Sequence, residues 1–301
     1  MRQRDRERYL LKPGVQVLDQ SDSWIFRLGQ TEVTIPREEL GPWEPMDDRV
    51  GEILELPRSS FVDRLVDSGM LVSAEGNMET WVHEASSWPP VTRQSGSLSK
   101  EVKGSAKRIP LEFQALPDIS LASALASRRS PKALKAGGDI SVGELGTFLK
   151  WTVGKHPGRE KRKYPSAGSL YPNHVHLSVR QVNGLSPGLY VYSSMDHTLV
   201  RQEGSSDVES ALVQSELDFH FCILISSDLH VATQGFGFRG YRFCLMEAGH
   251  MVQNLQLVAQ AMDWEAVPVG GFRDHQAAEA LGRDKEVLTP LYLVPVGTLG
   301  E

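Results

Sequence analysis

The segment R-K-Y-P-S-A-G-S-L-Y-P, residues 162–172, places several chemically active side chains in one short loop. Lys163 and Tyr164 are both proton-transfer groups, and Pro165 restricts the backbone directly after them. The small residues that follow let backbone N–H groups approach a planar or anionic ligand. Taken alone, these residues fit either a proton-transfer site beside a ligand or a packed tyrosine next to a solvated lysine.

Two other segments carry weaker signals. R-R-S-P-K, residues 128–132, ends a predicted helix, where its cations could grip one anionic group or complement the helix dipole. A-V-P-V-G-G-F, residues 266–272, contains Gly270 and Gly271 after a short apolar run. Adjacent glycines there indicate a simple turn, or a backbone that another group approaches closely.

Two further motifs resemble binding sites, but their context does not support that use. G-F-G-F-R-G, residues 235–240, matches a dinucleotide-binding pattern, yet the preceding strand is predicted to end near Ser226, too far for a tight strand–turn–helix. We therefore interpret it as a flexible loop before a long helix. His174 and His176 alternate along a predicted strand without a third ligand, so we predict strand surface and no metal site.

Composition places the chain among globular proteins. Its 301 residues are 40% hydrophobic and 23% charged, which suits one large or two unequal domains. The apolar runs are shorter than the ~20 residues of a membrane span, and the first residues lack the apolar core of a secretory signal. Only two cysteines occur, Cys222 and Cys244, without metal-binding spacing. We expect a cytoplasmic protein without a membrane partner or a disulfide scaffold.

Charge is uneven along the chain. Residues 1–84 carry 17 Asp and Glu against 10 Lys and Arg, whereas the remainder is nearly balanced. A nucleic-acid-binding arm needs a basic face for the phosphates. We therefore expect no nucleic-acid partner.

The first part of the chain, residues 1–85, predicts a small winged-helix-like module. Short alternating bursts between residues 9 and 35 indicate an antiparallel meander, and a helix should begin at Ser59 or Ser60 and end at Gly69. The apolar face of that helix is expected to comprise Phe61, Val62, Leu65 and Val66. The module would bind a peptide or protein partner, or serve as a structural cap on the main domain.

Residues 86–110 have the Ser, Pro, Gly and Lys content of a linker, so the second domain, 111–301, should begin near Leu111. Helices are predicted at 119–130, with Leu121 and Leu125 on its apolar face, at 141–154, and at 241–262. Strands are predicted at 174–180, 188–193, 220–226 and 290–297. Since few strands are separated by single helices, we predict an α+β fold rather than a parallel βαβ array.

The order of these motifs resembles the SagB-type dehydrogenases over about residues 118–298. These are FMN-dependent members of the nitroreductase superfamily that oxidise azolines to azoles in thiazole- and oxazole-modified peptides. The resemblance implies a nitroreductase-like FMN domain with an antiparallel-rich sheet, and a homodimer with FMN at the subunit interface. The N-terminal module shows only a general likeness to the leader-binding modules of peptide-modifying enzymes.

The resemblance also implies roles for individual residues. Arg128, Ser130 and Lys132 would contact FMN, with Arg162 or Arg242 as further cations for its phosphate. Ser166, Gly168 and Ser169 would lie along the flavin, and Gly270 and Gly271 near its reactive N5 side. Lys163 and Tyr164 would supply the base for azoline oxidation, with the neighbouring residue lowering the pKa of whichever acts.

The implied substrate is an azoline-containing precursor peptide, made beside a cyclodehydratase. Three alternatives remain open at the level of the sequence. One is an NAD(P)H-dependent nitro- or ene-reductase, and another is an oxidase of a thiazoline tethered to a carrier protein. The third is a flavin-free scaffold subunit that binds leader peptide.

Overall fold

The computed structural model describes residues 6–12, 15–40, 53–57, 59–74, 108–202, 208–281 and 287–299. The chain divides into two compact units. One comprises Met1–Gln94 with Phe236–Arg239, and the other Ser95–Gly235 with Gly240–Glu301. Most of the predicted linker lies outside the described residues.

Within the described residues, the first unit contains two three-stranded antiparallel sheets and two helices. The sheets have the orders β5-β1-β6 and β2-β3-β4, and the second of them confirms the predicted meander. The elements are β1 (Arg6–Leu11), β2 (Gln16–Asp19), β3 (Ser23–Leu28), β4 (Thr31–Pro36), α1 (Arg37–Leu40), β5 (Ile53–Pro57), α2 (Ser60–Asp67) and β6 (Leu71–Ser73).

Helix α2 follows the predicted pattern closely. It buries Phe61, Val62 and Leu65 in the core of this unit. Val66 was expected on the same face but is 39% exposed, because it lies at the edge of the apolar stripe. The chain leaves the helix through Gly69, whose φ of +70° suits a residue without a Cβ.

The second unit is built on one large sheet. It contains β7 (Arg108–Pro110), α3 (Leu121–Ser127), β8 (Leu134–Lys135), α4 (Val142–Thr152), β9 (Asn173–Val179), β10 (Gly188–Ser193), β11 (Thr198–Arg201), β12 (Phe221–Ser227), α5 (Leu229–Phe236), α6 (Arg239–Ala261), β13 (Glu265–Ala266), α7 (Asp274–Ala280) and β14 (Thr289–Leu299). Short 3₁₀ turns occupy Ala167–Ser169 and Val208–Ala211.

The strands of this sheet pair antiparallel in the order β13-β14-β12-β9-β10-β11-β7, and β8 pairs with β14. Every residue of β12 is buried, because the strand is interior and both of its faces are covered. β7 starts at Arg108, so the sheet begins three residues before Leu111, the predicted start of the second domain. Helices and an antiparallel sheet in one unit confirm the predicted α+β class.

Two helices next to the sheet have clear sequence causes. Helix α4 starts after Ser141, as predicted, and Ser141 and Glu144 form a reciprocal capping box there. Helix α6 has 23 residues and is about 35 Å long. Its buried face includes Ala248, Met251 and Leu255, which pack into the main core. Within the described residues, no helix combines the length and apolar character that a membrane crossing requires.

Helix α3 differs from the prediction. Leu121 and Leu125, the expected core residues, are 69% and 52% exposed, and the buried residue is Ala124. Periodicity identifies an apolar side but cannot decide which face of a two-turn helix meets the core. The small side chain of Ala124 lets the backbone of α3 lie close to the residues that it packs against.

Two other local predictions, for residues 235–240 and for His176, are also wrong. G-F-G-F-R-G is mostly helical rather than a loop, because α5 extends to Phe236 and α6 begins at Arg239, with Gly237 at a φ of +57° in the two-residue turn between them. His176 is fully buried rather than on the surface, since β9 is an interior strand. Its Nε2 lies 3.0 Å from Ser226 Oγ on β12.

Candidate active site

The loop between α4 and β9 has an unusual backbone. Gly168, Ser169 and Tyr171 all have φ between +51° and +59°, although two of them carry a Cβ. Such conformations cost free energy and persist only where surrounding contacts hold them. One of those contacts is a 2.9 Å hydrogen bond that the Tyr171 N–H donates to Ser166 Oγ.

Tyr164 points inward from this loop. Its side chain is only 3% exposed, and the Tyr171 ring packs edge-on against it at 5.7 Å. Arg162 Nη1 donates a 2.9 Å hydrogen bond to Tyr164 Oη, and the guanidinium lies 4.7 Å over the Tyr171 ring. Burial raises the pKa of Tyr164 well above its usual value, and the opposing charge of Arg162 does not offset this.

Lys163 points elsewhere. Its Nζ lies 4.0 Å above the Trp151 ring, at the end of α4. Partial burial, and then the positive charge of Lys150, lower the pKa of Lys163. The pKa of Lys163 is thus lowered, but by burial and Lys150 rather than by its neighbour Tyr164, and the pKa of Tyr164 is raised rather than lowered. The cation bonded to Tyr164 is Arg162, not Lys163.

An unpredicted carboxyl, Glu247 of α6, lies behind the loop. It is 2% exposed, and its Oε1 accepts a 3.4 Å hydrogen bond from the Asn173 N–H. Burial raises the pKa of Glu247 to about 7, while the nearby Ser166 hydroxyl and the Arg162 charge act in the opposite direction. The carboxyl therefore titrates near neutral pH.

Helix α6 also holds the segments on either side. Asn254 Nδ2 donates to the backbone oxygens of Thr152 and Lys163, at 3.1 and 3.2 Å. Gln256 Nε2 donates to Ser130 Oγ at 3.2 Å and to Ala266 O at 3.3 Å. One helix thus links the Lys163 loop, the R-R-S-P-K segment and the strand before Gly270.

The three cations of the R-R-S-P-K segment differ in their contacts. Arg129 Nε forms a 2.8 Å ion pair with the buried Glu265. The side chains of Arg128 and Lys132 have no hydrogen-bond or ion-pair partner among the described residues. Ser130 accepts from Gln256, so its hydroxyl already has a structural role.

Gly270 and Gly271 are exposed and have ordinary backbone dihedrals. A Cβ at Gly270 would meet only the Tyr292 ring, 3.9 Å away, and a Cβ at Gly271 would meet nothing within 4 Å. Within the described part of the chain, therefore, no contact requires glycine at either position. A requirement for glycine would have to come from a bound group.

An open cleft of about 370 Å³ lies against the loop. Lys163, Tyr164, Ser166 and Ser169 line it, together with the basic residues His156, Arg159, Lys161 and Arg162. No carboxylate of the described residues lines the cleft. It therefore suits a ligand that carries negative charge or hydrogen-bond acceptors.

A second, smaller cavity of about 40 Å³ also adjoins Tyr164. Arg162 and Tyr164 line both spaces, and His174, Tyr192 and Ser193 line only the smaller one. The open cleft and the smaller cavity therefore share the Arg162–Tyr164 pair.

Three site residues escaped sequence reasoning, namely Glu247, Asn254 and Gln256. The signal was present for Glu247, which lies four and eight residues before Met251 and Leu255 and so on their buried face. Charged residues are rarely buried in a core because burying a charge costs stability, so a charged residue on a core face is a candidate for function. Gln256 similarly follows Val252 by one turn.

Comparisons with known proteins agree with this fold. The nitroreductase family model matches residues 125–298. MJ1384 of Methanocaldococcus jannaschii, a provisionally named nitroreductase, is 33% identical over 195 residues, which cover 62% of this chain and 96% of that protein. The microcin B17-processing protein McbC of Escherichia coli is 28% identical over 159 residues, covering 48% of this chain and 57% of McbC.

Solved structures show the same fold. A chain of the E. coli microcin synthetase McbBCD complex, with truncated pro-MccB17 bound, aligns with a TM-score of 0.53 at 24% identity, covering 67% of this chain and 79% of that chain. A nitroreductase-like protein of Anabaena variabilis aligns with a TM-score of 0.54 at 23% identity, covering 65% and 42%. The present chain thus spans less than two thirds of McbC and of the Anabaena protein.

The antiparallel sheet, the helices around it and these matches define an oxidoreductase fold. The chain belongs to the nitroreductase family, whose members typically bind FMN.

Proposed function

We propose that the protein is an FMN-dependent dehydrogenase that oxidises thiazoline or oxazoline rings to thiazole or oxazole rings in a ribosomally made peptide. The observation that carries the proposal is Lys163, a half-buried lysine of lowered pKa that lines the same cleft as Tyr164 and the Ser166–Tyr171 loop. The likeness to McbC, a microcin-processing protein, supports a peptide as the substrate.

The residues present fit FMN. The cleft offers about 370 Å³ beside the loop, where Ser166 and Ser169 supply hydroxyl groups and Lys163 supplies a cationic side chain to its lining. Within the described part of the chain, the side chains of Arg128 and Lys132 have no hydrogen-bond or ion-pair partner and would be available to a phosphate, and Arg162 adds a third positive charge. Gly270 and Gly271 leave open space beside the backbone. Bound FMN would supply the hydride acceptor for the oxidation.

The chain's own residues would manage the proton. Oxidation of an azoline removes two hydrogens from adjacent carbons, one as a proton and one as a hydride. A lowered pKa gives Lys163 a larger fraction of neutral amine, which can take the proton from the ring carbon.

Tyr164 suits a different role. Its oxygen accepts from Arg162, and its raised pKa keeps the phenol protonated, so that its O–H can donate to a ring heteroatom. We therefore assign Lys163 as the base and Tyr164 as a hydrogen-bond donor that orients the ring.

The proposal includes partners. A cyclodehydratase must supply the azoline peptide, because it is the product of ring formation. A second copy of the chain is expected to cover exposed apolar side chains, which include Leu121 and Leu125 on α3, and Tyr241, Leu245 and Met246 on α6. Sedimentation analysis should give a homodimer, and a monomer at micromolar concentration would refute this part.

A second candidate function is an NAD(P)H-dependent nitroreductase. The match to MJ1384, which covers nearly all of that protein at 33% identity, favours it. In this alternative Lys163 and Tyr164 would not take part in proton removal from an azoline.

Anaerobic absorbance spectra of the FMN-loaded protein would separate the two. We expect the flavin bands to bleach on adding an azoline-bearing peptide and to persist with NADPH alone. Bleaching by NADPH alone would favour the reductase. A protein that binds no FMN would refute both enzymes and leave a flavin-free scaffold. An azoline tethered to a carrier protein is tested in parallel. Bleaching with this substrate and not with the peptide would favour the alternative oxidase, which acts on a thiazoline tethered to a carrier protein.

A further inference from the structure

The guanidinium of Arg162 and the hydroxyl of Tyr164 carry hydrogens that lack an acceptor. Arg162 Nη1 donates to Tyr164 Oη at 2.9 Å and to Asn173 O at 3.3 Å. Among the described residues, Nε and Nη2 of Arg162 have no acceptor, and its charge has no ion-pair partner. In the same part of the chain, the hydroxyl hydrogen of Tyr164 has no acceptor either. Since buried donors normally find an acceptor, the pair points to one on a bound molecule.

These donors border the space in which the proposed base acts. Arg162 and Tyr164 line the open cleft together with Lys163. Arg162 is half-buried, and stacking holds its guanidinium 4.7 Å over the Tyr171 ring. A planar guanidinium that is already held in place loses little conformational freedom when it binds an oxygen. The cleft therefore has a prepared cationic donor beside the lysine.

The chemistry proposed for the cleft creates a matching acceptor. In an azoline peptide, the ring hydrogen next to the acyl group is acidic, because the electrons of its C–H bond can delocalise onto the acyl oxygen. When Lys163 takes this proton, the C–H bond breaks and negative charge develops on that oxygen. A fixed cation with free N–H groups stabilises this charge more than it stabilises the neutral substrate.

We propose that Arg162 binds the acyl oxygen of the azoline residue and stabilises the enolate that forms when Lys163 removes the proton. The role rests on the proposed function and makes Arg162 a catalytic residue, in addition to its contribution to the positive charge of the cleft. The ring nitrogen and the acyl oxygen of an azoline residue are separated by only two carbon atoms. Tyr164 Oη and Arg162 Nη1, 2.9 Å apart, are close enough for the phenol and the guanidinium to contact both acceptors at once.

Hydrogen exchange at the ring carbon tests this role apart from the oxidation. The FMN-loaded protein is kept reduced with dithionite in deuterated water, so that no hydride is accepted, and deuterium uptake by an azoline-bearing peptide is followed by mass spectrometry. We expect the native protein to catalyse exchange and Arg162→Gln to slow it by about 10²–10³-fold, as removal of an oxyanion donor does in other enzymes. Arg180→Gln removes the same charge outside the cleft, where Arg180 pairs with Asp218, and should exchange at the native rate.

A second variant and the FMN affinity separate this role from a structural one. Arg162→Lys keeps the charge but replaces the planar fork with one ammonium group, so its exchange rate should fall between those of the native protein and Arg162→Gln. The dissociation constant of FMN, measured by quenching of flavin fluorescence, should stay near the native value in both variants. Exchange at the native rate in both variants would overturn the proposal. A loss of FMN affinity as large as the loss of exchange would also overturn it.

The result is distinguishable from a failure of the proposed function. Flavin bleaching by the azoline peptide, together with native exchange rates in both Arg162 variants, would remove only the role of Arg162. A native protein that neither bleaches nor catalyses exchange would refute the proposed function and this inference with it.

Discussion

Replacing Glu247 with glutamine should change how the stability of the protein depends on pH. In the folded protein the pKa of Glu247 is about 7, against an ordinary value of 4.5. Between these values the folded state keeps a proton that the unfolded state releases, so raising the pH favours unfolding. The penalty begins near pH 4.5, grows as the pH rises, and is complete above about pH 7.

The size of the effect follows from the same shift. Each pKa unit corresponds to about 1.4 kcal/mol, so the penalty grows by about 2 to 3 kcal/mol between pH 5 and pH 8. Glutamine cannot ionise, so Glu247→Gln should gain about that much relative to the native protein over this range. Any constant cost of burying the amide cancels in the comparison.

Urea unfolding at several pH values measures this difference. The variant Glu265→Gln, which loses its ion pair with Arg129, should be destabilised and should not gain stability at pH 8. Parallel stability profiles for the native protein and Glu247→Gln would refute the reasoning, because they would mean that the carboxyl titrates alike in the folded and unfolded states.

Two more predictions concern the cleft loop. Lys150→Gln removes a positive charge that lowers the pKa of Lys163, so the acid limb of the rate profile for azoline oxidation should move to higher pH. Lys155→Gln, which only breaks an ion pair with Glu160, should leave the limb in place; equal profiles for all three proteins would count against Lys163 as the base. Gly168→Ala should lower the free energy of unfolding by about 1–2 kcal/mol in urea, because its φ is +59°. Gly249→Ala, at an exposed position of α6 without positive φ, should instead raise it by about 0.5–1 kcal/mol; a Gly168→Ala variant as stable as the native protein would contradict the loop conformation.

Much of the fold could be predicted because local sequence signals and tertiary packing agree. The Ser141 cap, the apolar run of β12 and the long pattern of α6 each indicate one element at nearly the observed bounds. Prediction was wrong where the outcome depends on neighbours in space. Whether Leu121 faces the core, or whether β9 is interior and buries His176, depends on the sheet order, which periodicity does not specify.

The site was predictable in part for the same reason. The loop motif identified Lys163 and Tyr164, but adjacent residues direct their side chains to different surroundings. The sequence could not assign Trp151 to one and Arg162 to the other. Glu247 belongs to a different element from the loop, so its hydrogen bond with the Asn173 N–H at the start of β9 exists only in the folded chain.

The rate of flavin bleaching after anaerobic mixing of the FMN-loaded protein with an azoline-bearing peptide, compared among variants, tests the assignment of Lys163 directly. We expect rapid bleaching for the native protein and for Lys155→Gln, slower bleaching for Tyr164→Phe, and loss of bleaching for Lys163→Gln with FMN still bound. Bleaching of Lys163→Gln at the native rate would contradict the assignment of Lys163 as the base on which the proposed function rests.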